Sequence, residues 1–231
     1  MSAPTIESQQ QAFRNGQILR VVNYHSTPAA GAEALEHELA TYAEAFSPVT
    51  MEDLEALFET GEWHKDKPGV LPVFYEGYRN SATVAAPICD KLGLTAWFPV
   101  ATRFLSTSPE HQETFARAHS IYLVEEDLAG ERIAMTWEEL NELSERHVVF
   151  PHTASHAGLE SVLDDDDLQR EVFEPKARMD AVTGQSAKAF VWLHGSGYGR
   201  SSFHDRALIG AGYTFLFSNT MIQRLPEPSP E

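Results

Sequence analysis

The feature that most constrains this chain is an alternation of short, β-branched apolar runs with segments apolar at helical spacing. Residues 18–24 (ILRVVNY) form the first such run, and β-branched clusters of this length read as a buried strand. Pro28 and Gly31 break it, after which residues 32–46 place Leu35, Leu39, Tyr42 and Phe46 on one helical face. Ser47-Pro48-Val49 is a brief extended piece, and Thr50 then caps a helix with Asp53 at the capping-box position. Strand 70–74, a helix over 81–92 ended by Gly93, and strand 94–100 follow. The stretch 101–128 is less regular: Glu110 to Ala118 is helical in composition, and Ile121 to Val124 fits strand or helix. Thr136 caps a helix to Arg146 with Glu139 completing the box, and strand 148–150 comes next. Asp164 to Asp167 open a helix to about Val182, with the charge run read as a solvated helix start. Strand 189–193, helix 203–210 and strand 213–218 complete the series. Such alternation predicts an α/β fold on a parallel sheet with right-handed crossovers, open or closed into a barrel. In both, the loops at the C-terminal ends of the strands carry the site.

Charge narrows the ligands. With 17 Lys and Arg against 34 Asp and Glu, the formal net charge is −17. Nucleic acid is excluded as a partner on this ground, because that affinity rests on cations neutralising phosphates. The same excess draws cations toward a carboxylate-lined cleft. Cys89 is the sole cysteine, so no intrachain disulfide forms, and its apolar neighbours Pro87 and Ile88 suit an inert buried thiol. The opening MSAPTIESQQQAFRNGQ lacks the basic start and apolar stretch of a signal peptide, and no window has the length and apolarity of a membrane span. The expectation is one cytoplasmic domain over 1–231, with flexible tails at 1–16 and 225–231.

Polar residues collect just after the expected strands. His25, the Tyr75-Glu76 pair, His152 with His156, and His194 would therefore share one rim. Two imidazoles four residues apart can aim at one cation, and two histidines with one carboxylate form a catalytic zinc set that keeps a position open for water. Taken singly these residues are unremarkable: the chain has ten histidines, and Glu76 before Gly77 suits a solvated turn. The glycines of HGSGYGRSS lack the GxGxxG order of a dinucleotide loop, and Gly195-Ser196-Gly197 is one residue too tight for a GxSxG nucleophile elbow.

Several separate segments, in order, resemble the polysaccharide deacetylase family with its NodB homology domain. They are NYHST (23–27), VFYEGYRNSATVAAPICDKLGLTAWFPV (73–100), MTWEELNELSERH (135–147), HTASH (152–156), AFVWLHGSGYGRSS (189–202) and GYTFLFSNT (212–220). The resemblance spans about residues 18–224. It implies a distorted (β/α) barrel of about seven parallel strands, holding a divalent metal, zinc above all, on an aspartate and two histidines. It also implies removal of acetyl groups from N- or O-acetylated sugars, or cleavage of related non-peptide amides. In the family's TFDDGY turn the first aspartate is the general base and the second a metal ligand, while H(S/T)xxH supplies the histidines.

Here His152-Thr153-Ala154-Ser155-His156 keeps the second motif, whereas Phe74-Tyr75-Glu76-Gly77-Tyr78 departs from the first. Tyr75 stands at the base position and Glu76 at the ligand position. A glutamate can still ligate, but a phenol with an ordinary pKa near 10 is a poor base at neutral pH. Trp192-Leu193-His194-Gly195 replaces the aromatic-Pro-Tyr-Gly turn, and no Leu-x-His acid is evident, leaving His194 or His25 to protonate a leaving group. Two functions stay in view. One is a metal-dependent hydrolase of acetylated carbohydrate or a small amide, with Glu76, His152 and His156 as ligands. The other is a catalytically silent barrel that binds carbohydrate or another ligand.

Overall fold

The computed structural model describes residues 5–14, 18–219 and 221–227. Its strands are β1 (Arg20–Tyr24), β2 (Ser47–Pro48), β3 (Gly69–Phe74), β4 (Trp97–Val100), β5 (Val148–Pro151), β6 (Ala189–Val191), β7 (Phe215–Ser218) and β8 (Met221–Arg224). Helices α1 (Ile6–Arg14), α2 (Ala32–Ala45), α3 (Met51–Thr60), α4 (Ala86–Leu92), α5 (Thr102–Ser106) and α6 (Pro109–Ala118) lie in the first half. Helices α7 (Glu125–Ala129), α8 (Trp137–Ser144), α9 (Asp165–Leu168), α10 (Glu174–Thr183) and α11 (Ser202–Gly210) follow.

The central sheet is parallel, in the order β1-β3-β4-β5, with β2 pairing the start of β3. A second ladder joins β6 to β7 in parallel and β7 to β8 antiparallel. Among the described residues the strands thus form two ladders rather than one closed ring of seven parallel strands, and β8 turns back as a hairpin partner. Between the ladders, β5 and β6 are linked past their ends by a parallel bridge of Gly158 with Leu193 and by the Leu193 N–H donating to the Ala157 carbonyl at 3.1 Å.

What makes the two ladders one body is the alternation of their side chains. Leu71, Val73 and Tyr75 from β3 and its end, Trp97 from β4, Phe150 from β5, Val191 from β6 and Phe217 from β7 fill a common interior. The intervening residues face outward: Phe74 and Phe98 meet α2, α4 and α8, while Phe190, Trp192 and Leu216 meet α9 and α11. Trp97 is the largest interior side chain, with its indole N–H donating to the Val49 carbonyl at 2.9 Å and its ring 5.4 Å from Phe217 across the ladders.

Several expectations need correction. Strand β1 is only half-buried, because it lies at the edge of the sheet with a single neighbour. Strand β8 follows Ser218 where no further strand was expected; its Met-Ile-Gln-Arg sequence carries no apolar run, as suits an exposed edge. Within the stretch read as an N-terminal tail, Ile6–Arg14 is helical, while residues 1–4, 15–17 and 228–231 lie outside the described residues.

Two expected helices carry a widened turn at their start or middle. Residues Ser81–Ala85 and Gln169–Phe173 are π-helical, each just ahead of a proline, Pro87 or Pro175. A proline has no N–H for the carbonyl four residues back, here Thr83 or Glu171, and the helix instead bonds Ala86 to Ser81 and Glu174 to Gln169. Capping follows the sequence: Thr50 with Asp53 and Thr136 with Glu139 both close reciprocal boxes. The acidic run at 164–167 is a helix start, with Asp164 accepting from the Asp167 N–H. Cys89 is fully buried, and burial pushes its thiol up to about 12.

Candidate metal centre

The ends of β3 and β5 bring Glu76, His152 and His156 together. All three are buried, and one ligand atom from each lies within 4.8 Å of the others. Had β3 continued extended, Glu76 would face the helix layer beside Phe74. Instead its φ of 66° is left-handed, and its carboxylate comes to the imidazoles. Gly77 follows at φ 92°, where an added Cβ would come within 2.7 Å of Leu105 and 3.1 Å of Val100, so only glycine fits. The turn is fixed on the next strand by the Ala101 N–H donating to the Glu76 carbonyl at 3.2 Å.

Backbone strain is concentrated here. Outside glycine, left-handed φ occurs at Glu76, Ser120, Thr153, His156, His194 and Asn219 among the described residues. Every one of these lines the cavity over the cluster or, like Thr153, sits between its ligands. Such conformations persist only where surrounding structure imposes them, and they gather at working sites.

Hydrogen bonds set the state of both imidazoles. His152 Nδ1 lies 3.1 Å from the Val191 carbonyl, and His156 Nδ1 lies 2.7 Å from the His119 carbonyl. A carbonyl only accepts, so each Nδ1 carries a proton, and it is the neutral form of each ring that presents a bare Nε2. In that form His156 Nε2 faces Glu76 Oε1 at 3.4 Å, acceptor against acceptor, and Glu76 Oε2 is buried without a hydrogen-bond partner. That is an arrangement a shared cation satisfies, and two imidazole nitrogens with one carboxylate match the donor set of a hydrolytic zinc site.

The remaining expected residues are placed as follows. Tyr75 continues the inward row of β3; its hydroxyl is buried without a partner, and its ring packs between His25 at 5.8 Å and His152 at 5.5 Å. Burial first, and the Glu76 carboxylate second, raise its phenol well above the ordinary value. His25 is largely exposed, with Nε2 3.7 Å from Glu76 Oε1. His194 lines the same cavity but stands on its exposed rim, with Nδ1 3.6 Å from the Glu160 carboxylate. Gly195 beside it packs so close to Asn219 that an added Cβ would lie 2.8 Å from that amide.

The cavity has a volume of about 340 Å³, and among the described residues no lysine or arginine lines it. Tyr122 stands at its edge, 73% exposed. A larger depression of about 1070 Å³ runs along α2, open and lined by residues such as Ala32, Glu33 and Ala40, and the Glu76 cluster is not part of it. Among the described residues no helix is long and apolar enough to cross a membrane.

Burial lowers the pKa of His152 well below the ordinary imidazole value, helped by His156 and His25. His147 and His119 are lowered in the same sense, again mainly by burial. The unfolded chain therefore takes up protons below about pH 6.5 that the folded chain resists, and stability falls as pH drops through that window. The metal-free protein is expected to lose ~1 kcal/mol or more, roughly 2–4 °C in melting temperature, between pH 7.5 and 5. A calorimetric melt that is flat or rising toward pH 5 contradicts this.

Comparison with solved structures places the fold. A Streptococcus pyogenes deacetylase, solved in complex with acetate, aligns at TM-score 0.64 and 15% identity, over 85% of this chain and 80% of its own. A de-N-acetylase from Aggregatibacter actinomycetemcomitans aligns at TM-score 0.64 and 15% identity, over 90% and 91%. A polysaccharide deacetylase from Bacillus cereus aligns at TM-score 0.57 and 17% identity, over 86% of this chain and 56% of its own. No protein-family model matches the chain, and no curated protein matches it in sequence. The α/β architecture of this chain is similar to that of these three proteins, and the Glu76, His152 and His156 cluster sits at strand ends, where parallel α/β folds in general gather their sites.

Proposed function

We propose that this chain is a metal-dependent hydrolase that removes acetyl groups from N- or O-acetylated carbohydrate, or cleaves a related non-peptide amide. The observation that carries the reading is the buried Glu76 carboxylate, one oxygen unpartnered and the other facing an imidazole whose proton is held on the far nitrogen. Glu76, His152 and His156 would hold a divalent cation, with zinc the ion of choice for this donor set. Such a cation supplies polarisation of the acetyl carbonyl and a lowered pKa for a nearby water. The likeness of fold to deacetylases supports the substrate class.

The chain's own residues supply the rest. His25, exposed at the mouth and 3.7 Å from Glu76, is placed to give a proton to the leaving amine or alcohol. Tyr75, its phenol kept protonated and without a partner in the protein, would donate a hydrogen bond to a bound substrate and would not accept a proton. His194 acts at the rim, where Glu160 orients it. A lining without lysine or arginine among the described residues suits an uncharged substrate, and the exposed Tyr122 ring offers a flat face to a sugar. Nucleic acid is no part of this reading, given the net charge of −17.

Metal content is the direct test. Protein purified without chelator or added metal should carry about one equivalent of zinc or a similar ion, lost in both Glu76→Ala and His152→Ala. Wild-type protein that is metal-free and does not take up added zinc rules the proposal out. Tyr75 at the base position favours a second reading, a silent barrel that retains the metal; acetate release from acetylated chitooligosaccharides separates the two.

A further inference from the structure

The turn that presents the two histidines has a support outside the motif. Glu171 lies in the π-helical turn Gln169–Phe173 and is 7% exposed. Its Oε2 accepts from the Ala154 N–H at 3.0 Å and the Ser155 N–H at 2.8 Å, and its Oε1 accepts from the Ser155 hydroxyl at 2.8 Å. Three donors on two consecutive residues thus converge on one buried carboxylate. These two residues lie between Thr153 and His156, both left-handed with φ 59°, so the turn is strained at each end and fastened in the middle. The Thr153 hydroxyl oxygen adds a closing bond, accepting from the Ala157 N–H at 2.7 Å.

The sequence sets where Glu171 points. Pro175 lacks the N–H that would bond the Glu171 carbonyl, the helix widens there, and the widened turn carries the Glu171 side chain to the loop. We infer that Glu171 is the positioning residue of this centre, fixing the turn 153–156 so that the Nε2 atoms of His152 and His156 converge on the Glu76 carboxylate. The inference rests on the cation-site reading above. It assigns Glu171 no contact with the ion or the substrate. Removing the carboxylate leaves two buried amide N–H groups and a hydroxyl without acceptors, a cost the strained turn relieves by rearranging.

The test uses Glu171→Ala, Glu171→Gln and Glu171→Asp in the full chain, with two readouts. In metal-free protein, long-range proton–nitrogen NMR reports the imidazole tautomers. Wild type and Glu171→Gln should both show His152 and His156 protonated on Nδ1, since a glutamine oxygen still accepts from both amides. Glu171→Ala should show mixed tautomers at His156, and Glu171→Asp, whose carboxylate is drawn back by one methylene, should do so in part. In the second readout, zinc affinity measured by chelator competition should fall about 10- to 100-fold in Glu171→Ala and stay within about threefold of wild type in Glu171→Gln. A folded Glu171→Ala with wild-type tautomers and zinc affinity overturns the inference. If that variant does not fold, a folded Glu171→Asp with wild-type tautomers and affinity overturns it equally. Failure of wild type to bind zinc is a separate result: it removes the cation-site reading, while the tautomer comparison still decides whether Glu171 sets the histidines.

Discussion

Tyr75→Asp is expected to raise acetate release from an N-acetylated oligosaccharide by about 10²- to 10⁴-fold over the native chain, the usual contribution of a positioned general base. The native phenol is buried, lacks a hydrogen-bond partner, and has its pKa raised by burial and by Glu76. It holds its proton at any working pH and cannot take one from an attacking water. An aspartate at the same point of the inward row starts about six units lower, so the burial and Glu76 charge that hold the phenol's proton still leave it able to ionise near neutrality. Tyr75→Phe should change the rate by no more than about tenfold, because it removes a donor and not a base. Assays of zinc-loaded protein with measured metal content decide the matter. A Tyr75→Asp protein that carries metal and remains as slow as the native chain argues for the silent barrel.

Trp97→Ala is expected to cost about 3–5 kcal/mol in denaturant unfolding, among the larger effects a single core truncation gives. Its ring is fully buried and touches Phe150 on its own ladder and Phe217 on the other, at 6.2 and 5.4 Å. No continuous run of strand hydrogen bonds joins the ladders among the described residues, so interior packing holds them together. A loss below about 1.5 kcal/mol, the range of a well-tolerated core swap, would mean that the ladders do not depend on this shared interior.

Local patterns made much of the fold legible. The apolar run at 70–74 is strand β3 and the run at 189–193 begins with strand β6, which ends at Val191, and the Thr50 and Thr136 boxes are formed as their spacing implies, because a cap involves only residues three apart. Likewise, the positions of Glu76, His152 and His156 after strands were enough to bring them together. What could not be read involves groups without side-chain identity or partners far along the chain. The carbonyls of Val191 and His119, which fix the imidazole protons, are available in any residue type. Glu171 is one of 34 acidic residues, and its only local signal is Pro175 inside an otherwise continuous helical pattern. The break between ladders has no sequence mark, since Phe150 and Val191 look like ordinary strand interiors on either side. His194 lines the cavity beyond the end of β6, but its approach to Glu160 depends on a loop conformation that spacing does not encode.

One imidazole belongs to both the chemistry and the architecture. His152 leaves the central sheet at the end of β5, donates a hydrogen bond from Nδ1–H to the Val191 carbonyl of β6 in the other ladder, and turns its second nitrogen to Glu76. The ring is a rivet at a seam where, among the described residues, the two ladders share no run of strand pairing and only the Gly158–Leu193 bridge lies beside it. Anything bound at its inner nitrogen is thereby linked to the seam: opening the wall between β5 and β6 has to release the ring, and a ring held fast from inside adds to the packing that resists it.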